Sequence, residues 1–226
     1  MTILNQQPIF RMFKLSIVSK ERERFNSIGK RNLLTSIQTE PDTLAMYATH
    51  AEENEDSNYI FEIYRNQSAY NIHANSHQFA EYAAMAKDAV TLREMISLVP
   101  ELLLEQATPL LVSDHPEYLV RLAEIDLSLD SIDKFRSIVS FEMKESLAKE
   151  SHILAMYAST VENQPNKWIF FEIYQNIHTY ESHRQTQHFK KYIEETSSMV
   201  LNKELHNLTA DILVNQGKGL LYEKRL

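Results

Sequence analysis

Glu62 and Tyr64 stand two residues apart in Phe61-Glu62-Ile63-Tyr64, and His73 follows nine residues after the tyrosine. The arrangement returns as Phe171-Glu172-Ile173-Tyr174 with His183. Residues two apart on a strand share one face, so each carboxylate and phenol point the same way. A histidine on an element covering that face brings an imidazole to the same small space. With a pKa of ~6.5 when unperturbed, imidazole suits proton abstraction near neutrality. The competing reading is a buried polar network. There Glu62 and Glu172 accept from the histidine ring or a helix end, and the tyrosines fill core with their hydroxyls satisfied.

A shift of 110 residues superposes much more than this block. Leu44-Ala45-Met46-Tyr47-Ala48 falls on Leu154-Ala155-Met156-Tyr157-Ala158, and Arg11, Phe25, Asn66, Tyr70, Phe79 and Tyr82 fall on Arg121, Phe135, Asn176, Tyr180, Phe189 and Tyr192. One register without gaps means two copies of one structural unit. The units are placed at residues 1–107 and 118–226, with 108–117 as linker.

Composition bounds the function. At 226 residues the chain has room for two units that each bury a core. A net charge of −8 and a pI near 5.6 argue against a nucleic-acid face or an anionic membrane partner. With no cysteine there is neither a disulfide framework nor a thiolate nucleophile. Only three glycines are present, and none builds a nucleotide-binding loop. No signal-peptide core or membrane-length apolar run is apparent, so the expected location is cytoplasmic.

Each copy reads as a β-α-β-β-α-β unit, the ferredoxin-like arrangement, giving an α+β fold. Ile9 to Val18 alternates as a strand and Lys20 to Gln38 carries a helical apolar stripe. Leu44 to Thr49 and Tyr59 to Tyr64 are strands around a hairpin loop at Glu52 to Asp56; Trp168 to Tyr174 is the third strand of copy two, after a loop at Glu162 to Asn166. Asn66 and Asn176 are N-caps. Helix is expected from Ser76 to about Leu98, closing strands at Glu101 to Gln106 and Asp211 to Gln216, and a tail without counterpart from Gly217. A lone sheet with helices on one face leaves its other face bare. Two units in one chain bury those faces together, which predicts an internal pseudo-dimer; further homodimerisation stays open.

The pattern Glu-x-Tyr, then His, then aromatic residues on the next helix resembles the antibiotic biosynthesis monooxygenase family. Copy two follows it through Glu172, Tyr174, His183, Thr186, His188 and Tyr192. Copy one carries Glu62, Tyr64, His73, Ser76 and Tyr82, with Gln78 in the place of His188. The resemblance implies a dimeric α+β barrel and, in function, a cofactor-independent monooxygenase acting on a small phenolic or quinol-type compound with O₂. In such chemistry the phenol or quinol becomes its anion, which passes an electron to O₂. His73 or His183 is then the base, with Glu62 and Glu172 beside it. Tyr64 or Tyr174 orients the substrate oxygen, and His188, Tyr82 and Tyr192 line the pocket. Tyr47 and Tyr157 read as packing first and as substrate contacts second. Rival readings are a ligand-binding or interaction module of the same fold and a haem-binding relative, although Ala83 and Ile193 stand where haem degraders carry an iron-ligating histidine. The fuller motif in copy two predicts unequal pockets, with His183 more important than His73.

Two further features are weighed. His73 and His77 have the spacing of a helical metal pair, but copy two breaks it at Gln187 and no third ligand is evident, so neither a metal nor another cofactor is expected. Arg11 and Arg121 lie on the apolar side of their strands. They read as snorkelling stems or rim ion pairs, or alternatively as contacts for an anionic ligand.

Overall fold

The computed structural model describes residues 2–113 and 117–224; Pro116 of the expected linker lies outside them. Copy one runs β1 (Thr2–Ile3), β2 (Ile9–Ile17), α1 (Arg22–Thr39), β3 (Thr43–Ala51), β4 (Asn54–Tyr64), α2 (Gln67–Ala74), α3 (His77–Ala89), β5 (Val90–Glu105) and β6 (Leu111–Ser113). Copy two repeats the scheme as β7 (Leu119–Leu127), α4 (Ile132–Lys149), β8 (Ile153–Val161), β9 (Gln164–Tyr174), α5 (Ile177–His183), α6 (Gln187–Thr196), β10 (Val200–Asn215) and β11 (Leu220–Glu223).

The two units are joined by their longest strands. The first half of β5 pairs with β2 of its own unit, Phe10 opposite Leu98, and its second half pairs with β8 of the other, Glu105 opposite Ala155. In the same way β10 pairs first with β7 and then with β3. The order β5-β2-β4-β3-β10-β7-β9-β8 therefore returns to β5 and closes an antiparallel barrel. Closure buries the inner faces of both units against each other and leaves as open edges, among the described residues, the first halves of β5 and β10. β5 carries a register shift between Pro100 and Leu102, and β10 carries the equivalent shift between Ala210 and Ile212.

Alternation along each strand divides the side chains. Phe10, Met12, Tyr47, Phe61 and Ile63 point into the barrel and meet Val120, Leu122, Tyr157, Phe171 and Ile173 from the other unit. The rings of Phe61 and Phe171 pack with centroids 4.1 Å apart. At one end of this interior the Tyr47 and Tyr157 hydroxyls are 2.8 Å apart. Both donate to Glu105 Oε1, and Asn215 Nδ2 lies 3.3 Å from the Tyr47 hydroxyl. Glu105 and Asn215 occupy equivalent positions, so the two copies meet here through one carboxyl and one amide.

Several expected boundaries change. Val90 to Leu98 is strand and not the end of a helix. From Val90 to Ser97 this half of β5 pairs with β2 alone among the described residues and most of its side chains are exposed, so no buried face imposes the alternation that marks a strand. The two hairpin loops tighten to two-residue turns, Glu52–Glu53 and Glu162–Asn163. Asn163 takes φ 62°, a conformation asparagine tolerates better than most residues. The segment after Gly217 does have a counterpart: β11 lies on β5 as β6 lies on β10. Gly217 adopts φ +68°, and a Cβ there would come within 2.7 Å of Pro109, so this turn requires glycine.

Candidate active site

On the outer face of the sheet, Glu62 and Tyr64 are roofed by α1, α2 and α3. The Asn66 side chain accepts the Ala69 N–H and the Ser76 hydroxyl accepts the Phe79 N–H, which caps α2 and α3 and fixes the bend between them. In copy two Asn176 and Thr186 do the same for α5 and α6. The bend leaves His73 near the end of α2, fully buried, with its ring 5.5 Å from that of Tyr64 and 5.0 Å from that of Phe79.

His73 is held from one side. Its Nδ1 lies 3.2 Å from Glu40 Oε2 and 3.1 Å from Ser36 Oγ. Glu40 also accepts from Thr43 Oγ1 at 2.7 Å and from Gln78 Nε2 at 2.6 Å. A carboxylate there selects the tautomer with the proton on Nδ1 and frees the Nε2 lone pair. Nε2 is buried and has no hydrogen-bond partner among the described residues. The Tyr64 hydroxyl donates to Glu62 Oε2 at 2.9 Å. Burial holds the Glu62 carboxyl above the usual carboxylate range.

A cavity of about 360 Å³ opens over these groups. Glu62, His73 and Tyr82 line it, with apolar walls from Phe13, Leu15, Phe79 and Val90 and cationic groups from Arg11 and Arg93. The Arg11 guanidinium stacks 3.9 Å above the Tyr70 ring. A second space of about 280 Å³ adjoins through Ile60, Glu62 and Tyr82 and extends beneath α1 at Gly29.

The matching cavity in copy two is only about 60 Å³, although Glu172, His183 and Tyr192 line it as their counterparts do. Here Val139, Glu142, Met143 and Phe170 fill space that Gly29, Asn32, Leu33 and Ile60 leave in copy one. A Cβ on Gly29 would meet nothing nearer than the Tyr82 ring at 4.0 Å, so the space there is real. The pockets are unequal in the direction opposite to that expected from the motif: copy two is fuller in sequence and smaller in volume.

The other anticipated residues fall in three places. Tyr64 and Tyr174 lie behind their carboxylates, Tyr174 donating to Glu172 Oε2 at 2.7 Å, and neither lines the cavity. Tyr47 and Tyr157 are inside the barrel, on the far side of the sheet from both cavities. His188 sits beside Glu150, its Nε2 2.7 Å from Oε1, and lines a separate cleft with Glu142 and Tyr192. His73 and His77 belong to different helices and His77 is exposed, so they form no pair. Four groups join the site that the sequence does not single out: Ser36, Glu40, Tyr70 and Arg93. The first three recur at the 110-residue shift, as Ser146, Glu150 and Tyr180, a signal equal to that of the histidines, whereas Arg93 falls on Lys203. Glu142 was likewise not anticipated. It is buried against His183, and burial pushes its carboxyl up to about 8.

A family model for antibiotic biosynthesis monooxygenase matches residues 8–85 and again 119–195. The chain belongs to the antibiotic biosynthesis monooxygenase family. Its domain occurs twice in tandem, as the 110-residue repeat requires. No curated protein sequence matches the chain. Among solved structures it is similar to a "putative monooxygenase" from Lactobacillus acidophilus NCFM, with TM-score 0.90 and 29% identity over 96% of this chain and 100% of that one. A second "putative monooxygenase", from Fusobacterium nucleatum, shares the fold at TM-score 0.88 and 21% identity over 98% of this chain and 100% of that one. An anthrone oxidase-like protein shares the fold more distantly, with TM-score 0.58 and 8% identity over 98% of each chain. No described helix is long and apolar enough to cross a membrane.

Proposed function

We propose that the chain is a cofactor-independent monooxygenase that acts on a small phenolic or quinol-type compound in the copy-one cavity. The observation that carries this reading is the free Nε2 of His73, its tautomer held by Glu40, beside an apolar cavity of ring-accommodating volume. His73 Nε2 takes the substrate's hydroxyl proton. Arg11 and Arg93, on the same cavity wall, stabilise the anion so formed, while apolar walls exclude competing water. The anion is the reductant. It passes one electron to O₂, and recombination of the radical pair places oxygen on the ring carbon as a peroxide. Loss of water then leaves a carbonyl, so the substrate supplies all the electrons. Family membership and the small-molecule cavity support the reading.

The test is oxygen uptake with a panel of quinols and hydroxylated polycyclic ketones, on protein stripped of metal and flavin. Uptake that scales with enzyme and yields a product that has gained one oxygen and lost two hydrogens is the expected result. Tight binding of the same compounds without uptake would make the chain a ligand-binding module instead.

The cavity difference supplies a second prediction. Gly29→Val with Ile60→Phe installs the copy-two residues in copy one. The double variant is expected to fold, because the added groups enter open space. KM is expected to rise roughly tenfold or more as the chamber closes. Steady-state kinetics alongside a thermal melt checks it, and an unchanged KM would remove this cavity as the substrate site.

A further inference from the structure

We propose that copy two binds a divalent transition ion of the zinc class on Glu142, His183 and His188. One carboxylate oxygen of Glu142 and one ring nitrogen from each histidine lie within 4.8 Å of one another. Ligands of a tetrahedral ion at ~2.0 Å stand about 3.3 Å apart, so closing the shell takes side-chain movements on the order of 1 Å. Imidazole and carboxylate donors in this ratio suit zinc and its neighbours in the first transition row rather than calcium or magnesium.

A second observation points to the same place. His183 is fully buried, and its Nε2 has no hydrogen-bond partner among the described residues while standing 3.7 Å from Glu142 Oε1. Its other nitrogen, Nδ1, lies 3.1 Å from Glu150 Oε1. Glu150 thus fixes the tautomer whose Nε2 lone pair faces Glu142, the role an outer carboxylate plays behind a metal-bound histidine. The same Glu150 oxygen lies 2.7 Å from His188 Nε2. Ser146 Oγ, 2.7 Å from Glu142 Oε1, braces the carboxylate ligand.

The divergence between the copies bears on the same three positions. Their counterparts in copy one are Asn32, His73 and Gln78. The shared histidine stays, while a neutral amide has become a carboxylate at one position and an imidazole at the other. Each change adds a metal-ligand type, and together they complete a set that copy one cannot form. Access is also present. Glu142 and His188 line a cleft of about 220 Å³ with Phe141 and Lys191. This inference does not depend on the reaction proposed for copy one.

The test titrates the full-length chain, freed of metal with a chelator, with Zn²⁺ and separately with Co²⁺. Calorimetry is expected to show one equivalent bound per chain, with visible d–d bands for Co²⁺ and no comparable binding of Mg²⁺. Glu142→Asn and His188→Gln install the residues that copy one already carries in the same framework. Each is expected to weaken Zn²⁺ binding by about 100-fold or more and to abolish the Co²⁺ bands, with a metal-free melting temperature close to that of the wild type. His178→Ala, at an exposed site, is expected to change neither. Binding that survives both substitutions, or that is absent from the wild type, overturns the assignment. If either variant fails to fold, His188→Asn and Glu142→Gln are read by the same Co²⁺ spectrum.

Discussion

His73→Ala is expected to lower kcat by two to four orders of magnitude, the range that removal of a general base costs, whereas His183→Ala should change it by less than about tenfold. Space, and not the motif, separates the two histidines. Both histidines are buried, both have Nδ1 beside a glutamate and both leave Nε2 without a hydrogen-bond partner among the described residues. The cavity above His73 holds about 360 Å³ and that above His183 about 60 Å³. The first has room for a ring compound, while the second is comparable to a few water molecules. His73 is also packed against Tyr64 and Phe79, so alanine there leaves a void and a buried Glu40 without its imidazole. His73→Gln, which retains an amide donor toward Glu40, separates loss of the base from loss of the fold. Single-turnover oxygen uptake and a melting curve for each variant decide the matter. Equal losses at the two histidines, or a larger one at His183, would sink the assignment of the reaction to copy one.

What the sequence shows most clearly follows from its repetition. A gap-free shift of 110 residues establishes two units, and the pairing of Glu62 with His73 and of Glu172 with His183 is already visible in it. What stays hidden depends on strand register. Met46 is the partner of Glu62 across β3 and β4, and Tyr47 is the partner of Phe61. Cross-strand partners share a face, so Tyr47 belongs with the barrel core and not with the carboxylate; no single strand contains that information. The helix boundary at Ala89 is hidden for another reason. Beyond it β5 runs as far as Ser97 with one neighbour among the described residues and mostly exposed side chains, so the apolar pattern that identifies a strand is weak. The cavities mislead most. A fuller motif suggests a better site, yet Ile60 lines the larger cavity where Phe170 lines the smaller, and Gly29 lines the adjoining space where copy two has Val139, all of them residues outside any motif.

Glu105→Gln is expected to stabilise the protein above neutral pH by up to ~3 kcal/mol and to flatten its stability between pH 4.5 and 7. Glu105 lies at the junction of the copies, fully buried, and burial raises its carboxyl from 4.5 to about 7 despite the hydroxyls of Tyr157 and Tyr47 and the Leu220 N–H that hydrogen-bond to it. The sign follows from proton count. Between pH 4.5 and 7 the folded chain keeps a proton that the unfolded chain has released, so rising pH favours unfolding. The stabilising contribution is complete below pH 4.5 and is lost as pH rises through 7. Above that, a buried carboxylate faces two phenols and an amide with no cation among its hydrogen-bond partners, which is costly. Glutamine keeps an oxygen for the two hydroxyls, and the equivalent Asn215 already accepts the Leu110 N–H at 2.8 Å, so an amide fits the position. Urea unfolding at pH 5, 6, 7 and 8 measures the effect as the difference between wild type and variant, in which all other titrating groups cancel. Parallel stability curves would mean that Glu105 is ionised throughout. The asymmetry of one acid and one amide would then not be what relieves the charge that two facing carboxylates would bring to the barrel interior.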